Sequence, residues 1–492
     1  MDIEALDRGS REPLHQQLYS RLRNSILSGR LQPGTRLPPT RALQDQLGVA
    51  RNTVMNAYTQ LLAEGYIEGI QGSGTYVARI LPDDLVSTPR SAAPTDPVRH
   101  STRLMSERGR RLAQSPAMPS LVWRKPRPFY PGVPAYEHLP MQAWRRLTSQ
   151  HWKNPTDELL GYGTPHGYRP LRVAIADHLN SVRGVNCDPE QVIVVSGSQQ
   201  ALDLAARVLL DDGDDVWIEN PAYPGARSAL VGAGANLVPI PVDEQGLDVE
   251  TAISAAPHAR LAYVTPSHQY PLGATMSIAR RLQLLRWADK EDSWIIEDDY
   301  DSEFRYSGRL FPALQGLDAA GRVIYVGTFS KVLFPSLRLG YVVVSPELVD
   351  GFLAARAVTD RHPPTVEQAI LAEFIADGHF LRHVRRMRAL YSARQEALVD
   401  AVGRWCDGLI ELGPDEAGMH LIAWLPPDAD DIATATRCSE FGLSTPPLSH
   451  YYHAGTAPRP GLLLGYTGYD QDVIETSTRQ LAAALRSLAP TR

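Results

Sequence analysis

Four apolar residues, Leu14, Leu18, Leu22 and Ile26, recur at every fourth position of PLHQQLYSRLRNSILSG. That spacing predicts a helix with one buried face. Pro13 suits its first turn and Gly29 its C-terminal end. After the turn LQPGTRLP, the run RALQDQLG predicts a short helix stopping at Gly48. RNTVMNAYTQLLAEGY predicts a third, with Val54, Tyr58, Leu61 and Leu62 facing inward. YIEGIQGSGTYVAR then reads as two short strands around a glycine-rich turn. Helix, helix, turn, helix and hairpin, over residues 1–79, is the order of an α+β winged helix-turn-helix.

Residues 80–126 lose this periodicity. LPDDLVSTPRSAAPTDPVRHSTR is rich in Pro, Ser, Thr and Ala and reads as a linker. Its later part, RHSTRLMSERGRRLAQ, is basic; a solvated tether is the plainer expectation, a DNA-contacting arm the other. Over 127–492 short apolar runs alternate with amphipathic ones. QVIVVSG precedes SQQALDLAARVLL, and DDVWIEN, LAYVTPS, SWIIEDDY, RVIYVGTFS and RLGYVVVS follow. Strands of four to six residues separated by helices predict an α/β domain whose largely parallel sheet is covered on both faces.

Composition narrows the function. The 492-residue chain has ordinary apolar (43%) and charged (21%) fractions, and its net charge of −6 excludes a protein that is basic throughout. Residues 1–79 nonetheless carry nine arginines against seven acids, so nucleic-acid contact belongs to a local patch. Cys187, Cys406 and Cys438 are far apart, which fits a reducing compartment without structural disulfides or a zinc site. The acidic start MDIEALDRGS is unlike a signal peptide, and no apolar run is long enough to span a membrane, so a cytoplasmic protein is expected.

In a helix-turn-helix the second helix of the motif enters the major groove. RNTVMNAY would bring Arg51, Asn52, Thr53 and Asn56 to bases and phosphates, while Arg41 fixes the docking angle on a phosphate. Gly72 and Gly74 in the wing allow close approach to the sugar-phosphate chain. A protein-binding winged domain is the alternative. LPPTRALQDQLGVARNTVMNAYTQLLAEGYIEGIQGSGTYV resembles the GntR family of bacterial repressors, over residues 11–79. The resemblance implies operator contacts at Arg41, Arg51, Asn52 and Thr53.

GTFSKVLFPSLRLGY holds one lysine, Lys331, among small hydroxyl and apolar residues. An amine that attacks a carbonyl must be available unprotonated, which a low-dielectric setting favours. If the carbonyl is that of pyridoxal 5′-phosphate, further parts are needed: a phosphate cup, a carboxylate for the ring nitrogen and an aromatic face. Gly197, Ser198 and Gln199, where a strand turns into a helix, are candidates for the cup, with Thr328 and Arg338. WIIEDDYDSEF carries acids to a strand tip, where ligands gather in open α/β sheets. ENPAYPG places Tyr223 for stacking. Asp298, Asp299, Asp301 and Glu303 read otherwise as a metal cluster, without a glycine-turned calcium loop or histidine neighbours. His450 and His453 read as surface or packing residues.

Together with SGSQQALDLAAR, ENPAYPGAR, TPSHQYPLG, EDDYDSEFRY and GYGTPHGYRPLRVAIADHL, these residues resemble the fold-type I aminotransferase family. The two-part arrangement is similar to the MocR subfamily of GntR regulators. By that resemblance Lys331 forms a Schiff base with pyridoxal phosphate, Arg338 holds its phosphate, Asp298 pairs with its ring nitrogen, and Tyr300 bonds its phenolic oxygen. Tyr223 would stack on the ring, and Tyr162 would reach the phosphate of a partner subunit, implying a homodimer. Tyr270 stands where aminotransferases usually carry an asparagine for the ring oxygen. Leu463 stands where they carry the arginine that clamps a substrate carboxylate, although a shift of alignment brings in Arg459. The expected function is a DNA-binding transcriptional regulator whose aminotransferase-like domain senses pyridoxal phosphate or an amine or amino-acid effector. An active aminotransferase with an autoregulatory DNA-binding domain is the alternative, and a pyridoxal-phosphate lyase or decarboxylase with a partner-binding head a third.

Overall fold

The computed structural model describes residues 6–10, 12–82, 105–114, 127–308, 311–453, 455–456 and 459–488. The chain divides into two compact units, Met1–Arg103 and Leu104–Arg492. In the first, α1 (Leu14–Leu27), α2 (Thr40–Leu47) and α3 (Arg51–Ala63) precede the antiparallel pair β1 (Ile67–Ile70) and β2 (Gly74–Val77). Leu18, Leu22, Ile26, Leu43, Val54, Ala57, Tyr58 and Leu61 form its core. Gly48 ends α2 in the left-handed conformation, at φ +61°, which glycine adopts without a Cβ clash. One inward expectation fails: Leu62 is 51% exposed, and Ala57 fills the core instead. A helix turns about 100° per residue, so a face holding 54, 57, 58 and 61 leaves 62 outside.

The second unit is built on an eight-stranded sheet. Its strands are β3 (Val192–Val195), β4 (Asp215–Asn220), β5 (Asn236–Asp243), β6 (Gly246–Leu247), β7 (Leu261–Val264), β8 (Trp294–Asp299), β9 (Val323–Thr328) and β10 (Gly340–Val343). Across the sheet they lie in the order β3-β10-β9-β8-β7-β4-β5-β6. The pairs β5–β4, β4–β7, β7–β8 and β8–β9 are parallel. The pairs of β10 with β3 and β9, and of β6 with β5, are antiparallel. Every residue of β3, β7, β8, β9 and β10 is buried, as strands covered on both faces require. A separate antiparallel pair, β11 (His420–Trp424) with β12 (Gly461–Gly465), follows the long helix His379–Trp405 in the chain.

Most of the stretch expected to be linker lies outside the described residues. Its Glu107–Gln114 part departs from the tether expectation: it is a helix lying against the helix Pro224–Ala233. Leu112 occupies the space a Cβ would take at Gly232, and Arg111 pairs with Asp212 at 2.6 Å. Among the described residues, no helix is long and apolar enough to cross a membrane.

Candidate functional site

Because β10 reverses direction, the C-terminal ends of β3, β4, β7, β8 and β9 and the start of β10 all open on one edge. Gly340 pairs with Val195 on one side and Thr328 on the other. Gly197 and Lys331 follow β3 and β9 within three residues, Tyr223 follows β4 by the same step, and Asp298 lies inside the end of β8. Arg338, at φ +50°, sits just before β10. Its guanidinium lies 3.4–3.5 Å from where a Cβ would stand on Gly197.

Gly197 caps the helix Ser198–Leu209 at φ +99°. The first intrahelical bond runs from the Gln200 N–H to the Gly197 carbonyl at 3.1 Å, so the amides of Ser198 and Gln199 precede the ladder. Gln199 Nε2 donates to the Gly225 carbonyl at 2.9 Å, tying this turn to the one that bears Tyr223. Thr328 is buried, and its hydroxyl accepts from the Ser330 N–H at 3.2 Å. A helix N-terminus, a hydroxyl and an arginine therefore share one corner, which is the donor set for a phosphate.

Lys331 Nζ lies 3.4 Å from the Gly132 carbonyl, and a Cβ on Gly132 would stand 2.6 Å from that nitrogen. Burial lowers the proton affinity of the amine, while Asp301 and Asp298 oppose that effect and do not overcome it. Asp298 is 5% exposed, and its Oδ2 accepts from the Tyr263 hydroxyl at 2.8 Å. Its Oδ1 is buried without a hydrogen-bond partner. Burial raises the Asp298 carboxyl to about 7.

The acidic run is divided among partners. Asp299 Oδ2 accepts from Arg183 Nε at 2.9 Å and from the Tyr325 hydroxyl at 2.5 Å, while its Oδ1, like that of Asp298, is buried without a hydrogen-bond partner. Asp301 faces His268 at 3.0 Å. Tyr270 packs edge-on against Tyr223, Tyr300, Tyr451 and His420, with centroids 5.4–5.9 Å apart. Tyr263, Gly132 and Tyr451 join the site without having been singled out from the sequence. Tyr263 left a trace there, as the one hydroxyl in the apolar run LAYV.

Tyr162 does not join this group within the chain. It is 86% exposed, with the Arg361 guanidinium 5.0 Å from its ring centroid. Leu463 is fully buried in β12 beside Leu448 and Tyr451. Arg459 pairs with Glu411 and stacks on Trp424 at 4.9 Å, so its guanidinium is engaged away from Lys331. In the head, Arg51, Asn52 and Asn56 are exposed on α3, Thr53 is half-buried, and Arg41 is exposed on α2. Gly72 and Gly74 have φ +77° and +124°, and a Cβ on Gly74 would stand 3.1 Å from Arg36 Nε.

The chain matches the bacterial regulatory proteins of the gntR family over residues 14–77, and aminotransferase class I and II over residues 132–451. It is 44% identical over 98% of its length to the probable rhizopine catabolism regulatory protein MocR of Rhizobium meliloti, covering 96% of that protein. It is 32% identical to the pyridoxine biosynthesis transcriptional regulator PdxR of Corynebacterium glutamicum, with 95% of each chain covered. Among solved structures, the kynurenine aminotransferase of Pyrococcus horikoshii superposes with a TM-score of 0.70 at 28% identity, over 80% of this chain and 97% of that one.

Proposed function

The chain belongs to the MocR subfamily of GntR-type transcriptional regulators, and from that premise we propose that its second unit holds pyridoxal phosphate through Lys331 and senses that cofactor or an amine or amino-acid effector. Members of the aminotransferase class I and II fold family use this cofactor, and the residues here fit it. Gly197, Ser198, Gln199, Thr328 and Arg338 would take the phosphate. Tyr223 would lie on the ring, with Tyr270 and Tyr300 toward its phenolic oxygen. Tyr162, exposed on the surface, would serve the site of a second copy in a homodimer.

The observation that carries the reading is the unpartnered Asp298 Oδ1: Asp299 Oδ1 also lacks a donor, but Asp299 is paired with Arg183, whereas Asp298 has no ion pair among the described residues. A buried carboxylate oxygen without a donor is destabilising, and a protonated ring nitrogen is the donor it lacks. When bound, the cofactor supplies an aldehyde that condenses with amines and a ring that withdraws electrons. Lys331, whose amine burial makes easier to deprotonate, would offer that amine; Asp298 would hold the proton on the ring nitrogen, and Arg338 would anchor the far end. Leu463 fills with hydrocarbon the position expected of a carboxylate clamp, which favours sensing over efficient turnover.

Arg41, Arg51, Asn52, Thr53, Asn56, Gly72 and Gly74 would contact operator DNA. Cofactor or effector binding favours one state of the second unit, and DNA binding reports that state. The test is to titrate purified full-length protein with pyridoxal phosphate and then an amine panel, following visible absorbance and operator binding together. Lys331→Ala is expected to lose the absorbance change and the effector dependence while still binding DNA. Unchanged effector dependence in that variant would refute the coupling. The intact set Lys331, Asp298 and Arg338 favours a second reading, an active aminotransferase. Repeated turnover of an amino donor with a 2-oxo acid would establish it.

A further inference from the structure

Behind Tyr300 lies a buried ionic cluster that the preceding assignments leave without a role. His268 is buried, with Nδ1 2.9 Å from the Tyr300 hydroxyl and 3.0 Å from Asp301 Oδ2. Its Nε2 lies 3.5 Å from Asp415 Oδ2. A neutral imidazole carries one N–H and cannot donate from both nitrogens; the imidazolium can. Burial alone would neutralise the ring, but Asp301 and then Asp415 overcome it and keep the ring charged up to about 10.

The remaining neighbours do not disturb that state. His420, with its centroid 6.0 Å away, hydrogen-bonds the Pro271 carbonyl at 2.9 Å and is pushed down to about 4 by burial and by His268. Arg183, Arg281 and Arg305 line a small cavity together with His268. Arg183 is paired with Asp299, Arg305 with Glu416, and Arg281 donates to three backbone carbonyls. The ring is also walled in: a side chain at Gly418 would run into it, and a Cβ at Gly273 would stand 3.2 Å from Nε2.

We propose that His268 is a positioning residue for the cofactor's phenolic oxygen: as a cation held between Asp301 and Asp415 it shares its one Nδ1–H between Asp301 and the Tyr300 oxygen, leaving the Tyr300 hydrogen free to point at the ligand. A phenol that accepts a charge-assisted bond becomes a better donor itself. Directed at the phenolic oxygen, that donor stabilises its anion and so lowers the proton affinity of the adjoining nitrogen of the lysine-bound cofactor. The inference rests on the proposed placement of Tyr300, and its test separates the two.

The measurement is the pH midpoint of the visible band of full-length protein loaded with pyridoxal phosphate. His268→Gln is expected to raise that midpoint by about 1 unit, the size of one modest charge-assisted interaction. Tyr300→Phe should raise it as well, and the double variant no further. Asp415→Asn keeps the ring and Asp301, weakens the imidazolium, and should move the midpoint the same way; circular dichroism checks that each variant folds. Midpoints unmoved in His268→Gln and Asp415→Asn, with the band still present, overturn the inference alone. A wild type that takes up no cofactor overturns it together with the function proposed above.

Discussion

Lys331 and Asp298 owe their chemistry to burial more than to any single neighbour. Desolvation pushes the lysine amine down and the aspartate carboxyl up to about 7, and the same tightly packed strand ends cause both shifts. For Asp298 the linkage has a definite sign. The folded protein holds the proton more tightly than the unfolded chain, whose carboxyl titrates near the usual 3.8. The Asp298 contribution to stability is therefore lost as pH rises from about 4 to about 7. Glu219 and Glu303, also raised to about 7 by burial, titrate over the same range. The comparison that isolates Asp298 is with Asp298→Asn: the melting temperature of cofactor-free wild type should fall more steeply with pH than that of the variant. Loading wild type with pyridoxal phosphate should remove the difference, because a protonated ring nitrogen favours the carboxylate.

Helices and strands carry the next set of consequences. On α3, Leu61 is wholly buried and Leu62 is half out, though the two are adjacent in sequence. Urea unfolding of the head should show Leu61→Ala losing about 2–5 kcal/mol and Leu62→Ala less than about 0.5. On the exposed side, Arg41→Ala should weaken operator binding almost equally across sequences and reduce the slope of log affinity against log salt by about 1, as loss of one phosphate contact does. Measuring affinity at several salt concentrations decides this. The helices of the head were legible because 3.6-residue periodicity survives in LHQQLYSRLRNSIL, with Leu18, Leu22 and Ile26 inward. The helix at Glu107–Gln114 was not, because ERGRRLAQ holds one large apolar residue, Leu112, and a single position shows no period. Its place is set by Leu112 meeting a glycine notch over a hundred residues away.

Each of the two units carries its own hydrophobic core, the head drawing on residues between Leu6 and Leu81 and the second unit on residues from Phe129 onward. Heating full-length protein should therefore give two transitions in calorimetry. Pyridoxal phosphate at a hundred times its Kd should stabilise only the one belonging to residues 104–492, by about 2.7 kcal/mol. The two-part order, the winged head and the alternation of strand and helix were readable along the chain, since each depends on local periodicity and turn chemistry. So was the candidacy of Lys331, Asp298 and Arg338, whose residue types sit at recognisable strand ends. What periodicity cannot carry is direction across a sheet. A short apolar run such as GYVV reads alike in either sense, and its antiparallel placement between β3 and β9 brings Arg338 back beside Gly197. Nor does a sequence reveal which aspartate in EDDYDSEF is left without a cation. Arg183 takes Asp299 and His268 takes Asp301, leaving Asp298 without an ion pair among the described residues, because those partners arrive from chain segments more than thirty residues away, and only folding brings them close.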